Sequence, residues 1–129
     1  MKTIIALNGI NRYIVFMKKV ESLLLLPNEQ AQSLLIGERI QRLRIARRIR
    51  QEEAAIRAGM SRPTARKIEQ GDPGRTVGQV LRYLQAIAPG MSLLQLLEGN
   101  DPSLAALQAS ERRQRVRELS KSELERLDF

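Results

Sequence analysis

Ser61, Arg62, Thr64, Arg66 and Lys67 lie in the run SRPTARK, and each carries a side chain that donates hydrogen bonds. Guanidinium and ammonium groups also carry positive charge and pair with phosphate oxygens. A guanidinium can fork onto two acceptors of one base edge. The run has little to bury, with Ile68 the apolar residue next along the chain. A segment so rich in donors and so poor in anchors suits presentation of those donors to a polyanion.

Two short helices are expected to position the run. The first covers Gln51 to Ala58, and Gly59 closes it, as a residue in the left-handed region does. The second takes Ser61 as N-cap and Pro63 in its first turn, where no backbone bond is lost, and ends near Gln70 before Gly71. Ala55 is small where the two helices must cross, and Ile68 is placed to face inward. Two helices hinged at a glycine, the second presented outward, make the plan of a helix-turn-helix.

Spacing and caps define the remaining elements. A helix from Asn28, as cap, to Arg48 carries Ile36, Ile40 and Leu43 on one stripe. GDPGR, 71–75, is turn chemistry. Thr76 opens a helix with capping-box spacing to Gln79 and a stripe of Val77, Val80, Leu81, Leu84 and Ile87. Ser92 opens another, which ends at Gly99; its leucines 93, 94, 96 and 97 are read as core, or as an interface. Asp101-Pro102 is taken as a boundary, with a last short helix from Ser120. Residues 18–26 form a short helix or apolar lead-in, and 1–16 a short strand or loose segment; Met17, with two lysines after it, would serve equally as a start. The expected organisation is an N-terminal extension (1–27), an all-α domain of five helices (28–100) and a charged tail (101–129).

Composition narrows the chemistry. The chain of 129 residues has no cysteine and no histidine, which excludes disulfides and removes the commonest general base and metal ligand. No carboxylates are placed to act as an acid–base pair, so neither an enzyme nor a metal or cofactor site is expected. Net charge is +8, and residues 38–67 alone hold ten Arg/Lys against three Glu. Concentrated positive charge of this kind favours nucleic acid as partner. No segment reads as a membrane span or a signal peptide, and with cysteine absent the cytoplasm, in association with the nucleoid, is the expected location.

The segment GERIQRLRIARRIRQEEAAIRAGMSRPTARKIEQG resembles the XRE, or lambda-repressor-like, helix-turn-helix family over about residues 34 to 98. R-x-x-R, QEE, AG, SRPT and IE-x-G stand together and in register. The resemblance implies a five-helix domain whose second motif helix enters the DNA major groove. It implies that Gln51 and Ser61 meet phosphates, that Arg62, Arg66 and Lys67 face base edges, and that Thr64 touches a thymine methyl or a phosphate. It further implies an ion pair between Arg44 and Glu69, and a homodimer acting as a repressor on a palindromic operator. Arg50, Ala54, Ile56 and Ala65 depart from the family pattern and suggest a lighter core. Ile56 is expected either to face a partner or to be covered by the N-terminal extension.

The tail DPSLAALQASERRQRVR and the LDF ending are similar to those of HipB-like antitoxins, the partners of HipA-type toxin kinases. This resemblance implies an autorepressing antitoxin whose tail anchors, Leu127 and Phe129 above all, bind the toxin. The alternatives are a mobile-element repressor without a toxin, a coactivator that uses the same domain to bind protein, and a tail that only solubilises.

Overall fold

The computed structural model describes residues 21–127, without the side chains of 118–122, 124 and 127. After a helical stretch at residues 21–24, within the segment 18–26 read as a short helix or lead-in, the described residues form six further helices and no strand: α1 Pro27–Ala46, α2 Gln51–Ala58, α3 Arg62–Glu69, α4 Val77–Ile87, α5 Leu93–Glu98 and α6 Pro102–Leu127. The fold is all-α, and α2 and α3, joined through Gly59, form a helix-turn-helix. The expectations for residues 1–20 lie outside the described residues.

Caps account for most of the boundaries. The Ser61, Thr76 and Ser92 hydroxyls each accept from the backbone three residues on, at 3.3, 3.1 and 3.1 Å. Gln79 and Gln95 return the bond to Thr76 and Ser92. Gly59 closes α2 at φ +67°. Asn28 does not cap α1. Pro27 takes the first helical turn instead, where its missing N–H costs nothing, and Glu29 accepts from the Leu26 amide at 3.2 Å.

The core is aliphatic and thin. Ile40, Leu43, Ile68, Leu84, Ile87 and Leu96 pack around fully buried Tyr83, with alanines 54, 55, 58, 65 and 88 between the helices. Alanines let α2 approach both α3 and α4 closely. The inward stripe of α4 differs from expectation: Val77 and Leu81 are exposed, and Tyr83 is buried in their place. Val80, Leu84 and Ile87 already define a helical face with the right spacing, and Tyr83 lies on it. In α5 only Leu96 is buried, whereas Leu94 and Leu97 face outward.

The C-terminal segment is the main departure. It forms one continuous helix rather than a short one from Ser120. Asp101 acts as its cap, accepting from the Ser103 amide at 2.9 Å, and Pro102 occupies the first turn. The Asp-Pro pair read as a boundary is a helix start, and neither glycine nor proline interrupts residues 103–127. The first turns of α6 lie on α1, held by Arg47–Asp101 at 2.6 Å and Arg42–Glu111 at 3.3 Å. From Arg112 to Arg117 every residue is exposed.

Candidate nucleic-acid interface

Helical spacing divides α3 cleanly. Ala65, Ile68 and Glu69 are buried on one side, and Arg62, Pro63, Arg66, Lys67 and Gln70 are exposed on the other. Thr64 lies half-buried on the flank, its hydroxyl 2.9 Å from that of Ser61. The donors in the SRPTARK run therefore share one continuous face. Gln70, which carries no signal of its own in the sequence, extends it by one turn.

The positive charge of residues 38–67 splits into two groups. Arg42, Arg44, Arg47 and Arg57 are in ion pairs with Glu111, Glu69, Asp101 and Glu53. Among the described residues, Arg39, Arg48, Arg50, Arg62, Arg66 and Lys67 have no acidic partner within ion-pair distance. Apart from Arg39, which is half-buried on α1, the unneutralised cations fall on α3 and on the connection into α2. Arg48 turns the chain there with φ +58°, and Arg50 stands at the N-cap of α2, exposed. In the sequence Arg50 reads only as a missing cap; its exposure beside Gln51 adds it to the candidate surface.

Beneath this face sits one buried carboxylate. Glu69 is 5% exposed. It accepts from Arg44 Nε and Nη2, from Gln51 Nε2 and from the Tyr83 hydroxyl, the last at 3.2 Å. Four helices, α1 to α4, meet at this group. Arg44 also donates through Nη1 to the Ile49 carbonyl at 2.9 Å, which ties down the connection that leads into α2. Burial, and then the adjacent Glu69 charge, push the Tyr83 hydroxyl above the usual tyrosine range, so it remains a donor.

Of the residues selected from sequence, Ser61, Arg62, Arg66 and Lys67 are exposed on or beside α3, and Thr64 is on its edge. Gln51 is half-buried at the first position of α2, its amide nitrogen turned to Glu69. Leu127 and Phe129 fall outside the described side chains. Ile56 is 73% exposed, among described residues that do not cover it.

Residues 35–89 match a family model described as a helix-turn-helix domain. The match runs from within α1 past the end of α4, and so contains α2, α3 and the Glu69 cluster. A helix-turn-helix domain supports a DNA-binding regulator, one of the XRE-like kind being consistent with it. No curated protein and no solved structure shows significant similarity to the chain. Among the described residues, no helix is long and apolar enough to cross a membrane.

Proposed function

We propose that the protein is a non-enzymatic, sequence-specific regulator that reads an operator through α3 and represses transcription. The observation that carries this reading is the exposed face of Arg62, Pro63, Arg66, Lys67 and Gln70 on a helix whose opposite side is core. In this account Arg62, Arg66 and Lys67 meet base edges, Ser61 and Gln51 meet phosphates, and Thr64 touches a methyl or a phosphate. Proline at 63 offers only an apolar contact.

A single short recognition helix reads few base pairs, so the operator is a palindrome bound by a homodimer. Exposed leucines support a second copy as the cover: Leu23, Leu24, Leu26 and Leu34 ahead of and within α1, and Leu94 and Leu97 on α5. The protein acts in the cytoplasm at the nucleoid. Its second role is that of a HipB-like antitoxin, with the C-terminal residues, Leu127 and Phe129 among them, taken up by a toxin kinase from the same operon. The exposure of Arg112 to Arg117, and of Glu123, Glu125 and Arg126 beyond them, supports a role outside the domain.

Selection of duplexes from a random pool by the purified protein tests the reading. A two-fold symmetric site with half-sites about one DNA turn apart is expected. Recovery of no preferred sequence, with binding of a protein partner retained, favours the coactivator instead.

A further inference from the structure

Gln51 is held by a group that specifies which way its amide faces. A carboxylate paired with a guanidinium accepts hydrogen bonds and donates none, and Glu69 faces the Gln51 amide. The amide must therefore turn its nitrogen inward. In the flipped orientation its oxygen would oppose the carboxylate, two acceptors without a proton between them. With one N–H committed to Glu69, the second N–H of the same nitrogen is left to donate elsewhere.

A phosphate oxygen likewise only accepts. It can use Gln51 only when the nitrogen is presented, and the orientation that suits Glu69 fixes where that nitrogen lies. The carboxylate itself has little freedom to turn. Arg44 grips both of its oxygens, and the Tyr83 hydroxyl holds Oε1 at 3.2 Å. Its side chain is only 2% exposed, so water does not compete for the bonds. Gln51 stands at the start of α2, where free backbone N–H groups add a favourable field for an anion.

We infer that Glu69 is a positioning residue for the DNA contact at Gln51: it orients the amide so that its remaining N–H meets a backbone phosphate, with Tyr83 and Arg44 holding the carboxylate in place. This role is separate from the contribution of Glu69 to stability, and it rests on the reading that Gln51 touches DNA.

The test is a mutant cycle in the full-length chain, read as affinity for the selected operator and for a scrambled duplex, at a temperature where circular dichroism shows every variant folded. Gln51→Ala is expected to weaken both duplexes about 3–10-fold, the worth of one hydrogen bond. Glu69→Gln, which no longer dictates the amide orientation, is expected to weaken them similarly. In the Gln51→Ala background Glu69→Gln should cost nothing further. In a Gln51→Lys background its effect should also vanish, because an ammonium donates in every direction. A purely structural role of Glu69 would carry its full cost into both backgrounds, and that result overturns the inference. Unchanged affinity of Gln51→Ala overturns instead the reading of Gln51 on which the inference rests. Should Glu69→Gln not fold, Tyr83→Phe takes its place. A loss of about 2-fold, abolished in Gln51→Ala, is then expected; a loss that persists there contradicts the role.

Discussion

Gly37 of α1 and Gly71, the residue that leaves α3, bring their backbones into direct contact. A β-carbon on Gly37 would fall 2.6 Å from the Glu69 carbonyl oxygen and 2.8 Å from the Gly71 α-carbon. One on Gly71, where φ is +72°, would fall 2.6 Å from the Leu34 α-carbon. Ser33 closes the crossing by donating to the Gly71 carbonyl at 2.6 Å. These obstacles are backbone, which cannot swing aside. Gly37→Ala is therefore expected to destabilise the domain by about 1–3 kcal/mol or more, through overpacking. Urea denaturation measures it; an unchanged midpoint would mean that α1 and α3 do not cross here.

Glu69 holds four helices, and its removal leaves the Arg44 guanidinium buried without a counter-charge. Glu69→Ala is expected to cost about 3–5 kcal/mol, a large part of a small domain's stability. Replacing Arg44 and Glu69 together by apolar residues of fitting size should cost less, since no charge is stranded. Tyr83→Phe should lose about 1–2 kcal/mol. Thermal unfolding of the variants gives the order. A double replacement no milder than Glu69→Ala would count against the pair as the cause.

Tyr83 marks where the sequence was legible and where it was not. Helices, caps and the hinge at Gly59 were readable because each depends on a few neighbouring residues: Ser61, Thr76 and Ser92 cap as their spacing says. The donor-rich run at 61–67 was readable for the same reason, since helical periodicity puts Arg62, Arg66 and Lys67 together. The Tyr83–Glu69 bond joins residues on different helices, and no local pattern announces it. Arginine counts misled in a similar way. Arg42 and Arg47 look like free charge in sequence, yet they pair with Glu111 and Asp101, far along the chain. Those partners also explain why the tail begins as a docked helix. The Asp101-Pro102 signal was visible as a cap, but what it docks onto was not.

Asp101 couples docking of α6 to pH. The Ser103 hydroxyl, and then Arg47, hold its carboxyl below the usual carboxylate range. A lowered folded-state pKa stabilises docking above the ordinary value, about 3.9, and the benefit is lost as pH falls through the lowered one. Protection of the amides at the start of α6, relative to their intrinsic exchange rate, should therefore fall below about pH 4. Asp101→Asn should show the reduced protection already at neutral pH. Equal protection in variant and wild type would remove Asp101 from the docking account.

A chain ending at Glu111 keeps the docked turns of α6 and its pair with Arg42, and removes the residues beyond them, of which Arg112 to Arg117 are exposed. It is expected to bind the selected operator as the full chain does, and to lose capture of the protein encoded beside it. Leu127→Ala and Phe129→Ala should weaken that capture most among single changes. Capture at full strength by the shortened chain would move the partner interface onto the helical domain.

The central claim is that the exposed face of α3 reads bases, and Arg62 tests it most directly. Arg62→Ala should be measured against the selected operator and against each single-base variant of one half-site. The account predicts a loss of about 1–3 kcal/mol on the operator and relaxed choice at one position per half-site, with the others unchanged. An Arg62→Ala protein with full affinity and unaltered base preference at every position would contradict it.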